Sequence, residues 1–511
     1  MDREITNRMH CKILLAPLLW LATASMGHAS PAPVSYVIDL AEKRQVIDHF
    51  GANDAWSLQK IGAWSEENKN RIADLLYTTD KGIGLSFCRF YVGGGVNLKT
   101  IKDEWRTADT FEISEGNYDW SRLSNERWFL RAAKARGVSH FGMTIYSPPP
   151  RLTRNGLTNH GTDKTSSTNL KPGGEDSFAR YLADMLAHFR SHPDEAERIE
   201  FDRIFPINEP QWDWFTGQEG NRASNEDMRR IHLALQAEIR KKQLRTLIAG
   251  PESGSIPGMY QINEKAKEKW HADYGDYLRF FAEDPQLARG LGGVMTYHSY
   301  WSDRIPGELV PHREALGKAL AARPGWKLWQ SEYCVMEGGR DLTINTALRV
   351  ARVIHCDMTL VNASSWQWWL AVANEDYKSG LIYTDYKKPG DPENILESKI
   401  LWALGNYSRF IRPGMRRVEM RGGAQDMDGL LASAYLDAPN KRVVAVLVNM
   451  GQKPEIARLA LARGERIAAT PLNMTPHTTS ARQNLAPGQA LDAARGLEIP
   501  ARSVVTLVSI P

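Results

Sequence analysis

The feature that most constrains this fold is a repeated alternation of short apolar runs with amphipathic helical patterns. Eight runs rich in β-branched and aromatic residues follow one another through the middle of the chain. They occupy residues 49–56, 85–92, 140–147, 201–208, 246–250, 293–300, 326–333 and 364–372. Because helical patterns separate these runs and no glycine-rich dinucleotide-binding sequence is present, their order predicts an α/β fold, a parallel (β/α)8 TIM barrel over residues 49–411.

The helical segments between these runs have a 3.6-residue period and, in places, recognisable ends. Apolar residues from Phe178 to Phe189 recur on one face of a helix. Ser224 and Asp227 predict a capping box at the start of a helix that extends to about Lys242. Further helices are predicted at residues 125–136, 344–360 and 396–411.

The pattern changes beyond residue 411, where helical periodicity gives way to short alternating strands. The run 441–449 alternates apolar residues after a turn, and residues 502–510 form a last strand after Pro500. Short strands bounded by proline, glycine and asparagine turns predict a β-sandwich domain over residues 412–511. The strand-like segment at residues 30–48 is predicted to pair with that domain.

The N-terminus has the three parts of an export signal. Arg3, Arg8 and Lys12 precede an apolar run at residues 13–24, and small residues follow at Gly27 and Ala29. This order predicts a signal peptide over residues 1–29 and a secreted or periplasmic protein. The apolar run is shorter than the roughly 20 residues that span a bilayer, so no membrane anchor is expected.

Charge content argues against a nucleic-acid partner, and cysteine content argues against a disulfide framework. The chain of 511 residues carries 64 Lys and Arg against 60 Asp and Glu. This near-neutral balance gives no reason to expect a nucleic-acid partner, because phosphate binding needs clustered basic residues. Cys88, Cys334 and Cys356 remain after the signal is removed, and their odd number and wide spacing predict buried thiols without a disulfide framework. The protein is expected to be a monomer.

Several familiar catalytic motifs are missing from the sequence. It contains no GxSxG nucleophile elbow, no phosphate-binding loop and no HExxH zinc helix. His188 and His192 are four residues apart near a predicted helix end, but no third ligand lies nearby in the sequence. Since zinc requires three or four protein ligands, we predict no metal site and no cofactor.

Two glutamates stand where a barrel places its functional groups. Glu209 follows the fourth apolar run and Glu332 ends the seventh. The carboxyl ends of barrel strands meet at one face, so these side chains are predicted to face each other across a cleft. A protonated carboxyl opposite an ionised one is the equipment for glycoside cleavage, and the chain's 16 Trp residues offer flat surfaces for sugars or for core filling. For either glutamate alone, a surface or salt-bridged role is the simpler reading.

The ordered set of motifs resembles a known family. Asn208-Glu209-Pro210 with Glu332 is similar to the paired motifs of clan A retaining glycoside hydrolases. Further segments resemble glycoside hydrolase family 30, and these are residues 47–56, 87–91, 146–150 with 155–156, 297–300 and 366–368. The resemblance covers nearly the whole chain after the signal peptide. The form Asn-Glu-Pro-Gln-Trp is most similar to the endo-β-1,6-galactanase-like branch.

The resemblance implies a role for each site residue. Glu209 would be the general acid/base and Glu332 the nucleophile of a double displacement on a β-linked polysaccharide or oligosaccharide. Arg89 is expected beside Glu332 and Tyr300 within hydrogen-bonding distance of it, while Asn208 would donate to the sugar 2-hydroxyl. The remaining substrate-binding candidates are His298, which is equally expected as a structural histidine, Tyr146, Trp56, and Trp366 or Trp368 as the floor of the −1 sugar, with Trp368 favoured. Trp212, Trp214 and Trp301 are expected either as platforms for further sugars or as packing residues.

Other functions stay open at this point. Within the family, a β-1,6-glucanase, a xylanase or a β-glucosylceramidase-like enzyme is an alternative. Arg151 stands where some relatives carry tryptophan, and the neighbouring polar stretch 153–173 adjoins the predicted cleft, so the sugar and the linkage are not determined. From other classes, a non-catalytic carbohydrate-binding protein and a metal-dependent hydrolase remain, because barrels host many chemistries.

Overall fold

The computed structural model describes residues 33–164, 167–424, 426–467 and 471–509, so the predicted signal peptide lies outside the described residues. Eight parallel strand positions form a closed barrel in which each strand pairs with the next and the eighth pairs with the first. In order they are His49–Asn53, Phe87–Val92, His140–Ile145, Arg203–Phe205, the two-part fifth strand Leu247–Ile248 and Pro251–Ser253, Val294–His298, Lys327–Glu332 and Ser365–Trp368. This arrangement confirms the predicted (β/α)8 barrel.

The fifth barrel strand differs most from its prediction. Leu247–Ile248 pairs with the fourth strand, and Pro251–Ser253 pairs with the sixth. The strand therefore extends past Gly250, where the sequence pattern placed its end. This extension carries Glu252 into the closed barrel, at the end where Glu209 and Glu332 lie.

The barrel helices bury the faces that their periodicity predicts. The α-helices are Leu58–Ile61, Glu66–Tyr77, Ser124–Ala135, Glu175–Arg190, Asn225–Lys241, Glu264–Trp270, Tyr277–Glu283, Pro285–Leu291, Leu309–Ala321, Ile344–Cys356 and Lys399–Ser408. The predicted capping box is present, because the backbone N–H of Asp227 donates to Ser224 Oγ at 3.1 Å and the Ser224 N–H donates to the Asp227 carboxylate at 3.0 Å. Among these described helices, none is long and apolar enough to cross a membrane.

Beside the barrel, eleven β-strands form a β domain with its own hydrophobic core. Its eleven strands are Val34–Val46, Arg416–Gly422, Leu430–Asp437, Arg442–Asn449, Glu455–Arg463, Arg466–Ile467, Asn473–Thr479, Ala486–Pro487, Leu491–Asp492, Leu497–Ile499 and Ser503–Ser509. The first of them lies between Arg416–Gly422, to which it is antiparallel, and Glu455–Arg463, to which it is parallel. The predicted additional β domain is thus present, and its sheet includes a strand that precedes the barrel in the chain.

One face of the β domain also packs into the large core of the barrel. Along the strand Arg442–Asn449, Val443, Ala445 and Leu447 pack inside the β domain, whereas Val444, Val446 and Val448 belong to the large core of the barrel and its helices. Successive side chains of a strand point to opposite faces, so one strand serves both cores. The three cysteines in the described part of the chain are buried and unpaired, as predicted.

Candidate active site

The predicted acid/base residue is held firmly at the end of the fourth strand. The Glu209 backbone N–H donates to the carbonyl of Glu252 at 3.0 Å, and the Glu209 carbonyl accepts from the indole N–H of Trp214 at 3.0 Å. The backbone at Glu209 is left-handed, with φ of 44°. That conformation is uncommon for a residue with a side chain and is kept only where neighbouring contacts determine it.

The predicted nucleophile lies opposite, at the end of the seventh strand. The Tyr300 hydroxyl donates to Glu332 Oε1 at 3.0 Å, and Arg89 Nη1 lies 3.7 Å from Glu332 Oε2. Arg89 comes from the second strand and is completely buried, and its Nη1 also donates to the Ser331 carbonyl at 2.8 Å. A fixed cation and a hydroxyl donor therefore both face the Glu332 carboxylate.

His298 joins the two carboxylates. Its Nδ1 lies 3.0 Å from Glu209 Oε1 and 3.5 Å from Glu332 Oε1. Oxygen atoms of Glu209 and Glu332, together with a ring nitrogen of His298, all lie within 4.8 Å of one another. The fold thus brings side chains from the fourth, sixth and seventh strands into one buried cluster.

Glu252 belongs to this cluster, and sequence reasoning missed it. Its Oε2 accepts from Arg89 Nη2 at 2.5 Å and from His298 Nε2 at 3.2 Å, and its Oε1 accepts from Ser331 Oγ at 2.6 Å. The side chain has no exposed surface. A carboxylate at the end of a strand was the signal that identified Glu209, and the same signal applies to Glu252. It was missed because the predicted strand ended at Gly250, before Pro251.

Burial and charge shift the titration of the cluster in definite directions. Burial raises the pKa of Glu332 to about 7, an effect that His298 and Arg89 oppose and that Glu209 and Glu252 increase. Burial alone would lower the pKa of His298, but the charges of Glu332 and Glu252 and its hydrogen bonds raise that pKa to about 10. At neutral pH the imidazole is therefore charged, with an N–H on both ring nitrogens.

We expect the stability contributed by His298 to decline at alkaline pH. A histidine whose folded-state pKa is about 10 stabilises the fold fully below its ordinary value near 6.5, and that contribution is lost as the pH rises through the folded value. The difference in Tm between the parent and His298→Gln should therefore be largest below pH 6.5 and shrink toward pH 10. A difference that stays constant over this range would contradict the charged state of the ring.

The cluster opens into a cavity of about 400 Å³ lined largely by aromatic side chains. Predicted residues that line it are Trp56, Asn208, Glu209, Trp212, Trp214, Tyr300, Trp301 and Glu332. Trp301 is 46% exposed and packs edge to face against Trp212, with ring centroids 5.3 Å apart. Asn208 Oδ1 is buried and has no hydrogen-bond partner among the described residues.

Five predicted binding residues lie outside the cavity wall. Arg89, His298 and Tyr146 are fully buried behind the carboxylates, so Arg89 and His298 contact Glu332 and Glu209 rather than a sugar. Trp366 and Trp368 are also fully buried, and their indole N–H groups donate to Asp357 at 2.9 Å and to the Ser379 carbonyl at 2.6 Å.

Trp369, which the sequence analysis did not single out, lines the cavity, whereas Trp366 and Trp368 do not. It is the first residue after the eighth strand and lines the cavity, perpendicular to Trp56 with ring centroids 5.1 Å apart. The prediction chose between two residues on one face of the strand. The chain leaves the strand after Trp368, so the strand alternation no longer determines which indole faces the cleft.

The donor set of the cluster suits an ion-pair network better than a metal site. A ligating histidine must offer a neutral nitrogen with a free lone pair. Both ring nitrogens of His298 instead face carboxylates, and the pKa of the ring is raised. His188, the other metal candidate, stacks flat on Trp120 with centroids 3.8 Å apart, which is aromatic packing.

Known proteins resemble this chain in sequence and in fold. The sequence model of O-glycosyl hydrolase family 30 matches residues 33–383, a range that includes both glutamates. An endo-β-1,6-galactanase from Hypocrea rufa is 22% identical over 471 residues, which are 85% of each chain. The crystal structure of an exported protein from Bacteroides fragilis has a TM-score of 0.82 at 30% identity and covers 93% of this chain and 100% of its own. The catalytic domain of xylanase C from Talaromyces cellulolyticus has a TM-score of 0.66 at 18% identity, with coverage of 93% and 100%.

Proposed function

The chain belongs to glycoside hydrolase family 30 and is an O-glycosyl hydrolase, and from this premise we propose that it is a secreted, retaining endo-β-1,6-galactanase. The observation that carries the proposed mechanism is the distance of at most 4.8 Å between oxygen atoms of Glu209 and Glu332. Retaining enzymes hold their carboxyl groups about 5–5.5 Å apart, whereas inverting enzymes keep about 6.5–9.5 Å so that a water fits between carboxylate and sugar. The short separation favours double displacement.

In the first step Glu332 attacks the anomeric carbon while Glu209 gives its proton to the departing glycosidic oxygen. The bond from the anomeric carbon to that oxygen breaks, and an ester between Glu332 and the sugar forms. In the second step Glu209, now a carboxylate, takes a proton from a water that attacks the same carbon and releases Glu332. Tyr300 and Arg89 stabilise the negative charge that Glu332 carries before and after each turnover.

The substrate proposal is supported by the named activity of the galactanase relative. Xylan is the strongest second candidate within the family, because a solved neighbour is named a xylanase. The mature protein should release short oligosaccharides from β-1,6-galactan and less product from xylan or β-1,6-glucan. Following the reaction by proton NMR, we expect the β-anomer to appear first, and initial release of the α-anomer would rule out the retaining mechanism.

Secretion is proposed from the predicted signal at residues 1–29 and is supported by the similarity to a protein named as exported. Sequencing the N-terminus of protein recovered from the periplasm or medium should give Ser30 as the first residue. Recovery of the intact N-terminus from the cytoplasm alone would contradict this proposal.

We expect Trp301→Ala to weaken the use of long substrates. This exposed indole in the cavity wall offers a stacking surface for a sugar, and the loss of one aromatic contact should raise KM for polysaccharide roughly 3- to 10-fold. KM for a small aryl glycoside should stay unchanged. Trp128→Ala, which removes a partly buried indole from the helix Ser124–Ala135, is the matched control. Equal effects of the two variants would contradict a platform role.

A further inference from the structure

Glu252 is a buried carboxylate to which the two-glutamate mechanism gives no task. Its backbone is left-handed, with φ of 56°, and is held by a hydrogen bond from its N–H to Thr296 Oγ1 at 3.0 Å. Its carbonyl accepts from the N–H of Glu209 at 3.0 Å. Strained backbone at a buried charge marks a position that its surroundings determine closely. Glu252 is thus tied both to the backbone of the acid/base residue and to the side chains behind it.

The Glu252 carboxylate determines which way His298 can donate. Oε2 lies 3.2 Å from His298 Nε2, so that nitrogen is occupied by a donor bond to Glu252. The other nitrogen, Nδ1, then points between Glu209 and Glu332 at 3.0 and 3.5 Å. Arg89 Nη2 and Ser331 Oγ donate to the remaining sites of Glu252, so the carboxylate cannot turn away from the ring without losing both bonds.

The net charge of the cluster is zero only if the charge of Glu252 is included. The proposed mechanism requires that, before the first step, Arg89 and His298 are positive, Glu252 and Glu332 are negative, and Glu209 carries the proton that it donates. After the first step Glu332 is an ester and Glu209 is a carboxylate, so the sum is again zero. Other described groups facing the cluster include the hydroxyls of Tyr300, Tyr146, Thr144 and Ser331 and the thiol of Cys334. Burial raises the pKa of both tyrosines and of the thiol, so these groups stay neutral.

We propose that Glu252 is a positioning residue that holds His298 doubly protonated, so that its Nδ1–H, 3.0 Å from Glu209 Oε1 and 3.5 Å from Glu332 Oε1, serves both carboxylates: it stabilises the charge of Glu332 across the longer distance in the free enzyme and the charge of Glu209 once Glu332 is glycosylated. The ring keeps both protons throughout, and only the carboxylate whose charge it stabilises changes. Each carboxylate is thereby stabilised in the half-reaction in which it is charged. This inference rests on the proposed two-glutamate function.

The pKa shifts agree with this geometry. Burial alone would raise the pKa of Glu252, but Arg89 and His298 lower it to about 2. The Glu252 carboxylate is therefore ionised at neutral pH and serves the charged ring as a counter-ion.

A double-mutant cycle on purified full-length enzyme tests the inference. Glu252→Gln should lower kcat roughly 10- to 100-fold with KM within about twofold. If Glu252 acts through His298, the double variant with His298→Gln should be no slower than His298→Gln alone. Losses that multiply in the double variant would overturn the proposal.

Glu219→Gln is the matched control. Glu219 is also a buried glutamate, 1% exposed, but it accepts from Tyr91 and from the backbone N–H groups of Gly94 and Ala108 rather than from the catalytic cluster. In the double variant, the effect of Glu219→Gln on kcat should add to the effect of His298→Gln.

A second readout does not need turnover. In protein labelled with ¹³C-histidine, the His298 resonance should show a charged ring up to pH 8 in the parent and titrate between pH 5 and 8 in Glu252→Gln. An unchanged titration would overturn the inference, even if no glycan were hydrolysed and the proposed function had failed. Should Glu252→Gln not fold, Ser331→Ala removes one donor to Glu252 and should move the titration in the same direction by a smaller amount, and no movement would again overturn the proposal.

Discussion

Glu332→Gln is expected to lower kcat/KM on a β-glycan by about 10⁴-fold or more, because the residue forms the covalent bond on which both steps depend. The folded protein should be as stable as the parent or more stable at neutral pH. Burial raises the pKa of Glu332, so its ionised form opposes folding above its ordinary pKa, and an uncharged amide removes that penalty. Thermal denaturation at pH 7 checks this sign, and a Tm that falls with activity would indicate a structural rather than a chemical role.

Two further measurements separate loss of the nucleophile from general damage. Glu314→Gln makes the same change at an exposed site outside the cleft and should leave the activity unchanged. In Glu332→Ala, azide should enter the vacated space, attack the anomeric carbon of an activated aryl glycoside and give an α-glycosyl azide. A β-configured azide would contradict the assignment of Glu332.

Glu209→Ala is expected to produce a loss that depends on the leaving group. For a natural glycan, whose leaving oxygen needs a proton, kcat/KM should fall roughly 10³-fold. For an aryl glycoside with a strongly acidic phenol the fall should be less than about 10-fold, because that oxygen leaves without a proton. Glu209→Gln should behave in the same way, since the amide cannot donate an acidic proton. Equal losses on the two substrate types would contradict the acid role.

The sequence was sufficient to predict the barrel because its information is local and repeated. Strand runs and helix periods are read over a few residues, and barrel closure then follows from their number and order. The ends of the fourth and seventh runs placed Glu209 and Glu332 at one face for the same reason. The capping box of Ser224 and Asp227 was equally readable, because it involves residues three positions apart.

The sequence failed where the site depends on contacts between distant elements. Glu252 was missed because Pro251 usually interrupts a strand, whereas here the barrel continues through it. Trp369 was missed because the alternation of strand side chains stops at Trp368, one residue too early. Arg89 was predicted to lie beside Glu332. Its nearest carboxylate is instead Glu252, and the carboxylate of Glu332 is farther away. Side-chain partners of this kind are set by packing across the barrel, which no short pattern records.

The strand Arg442–Asn449, which contributes to two cores, also affects how the barrel becomes covered during folding. Val504, in the last strand Ser503–Ser509, belongs to the same large core as the barrel residues, and that strand pairs with Arg442–Asn449. The apolar surface of the barrel is therefore not fully covered until the strand Ser503–Ser509 has joined the sheet. A shortened chain that keeps both glutamates but ends after the eighth strand would consequently expose an apolar, aggregation-prone surface of the barrel.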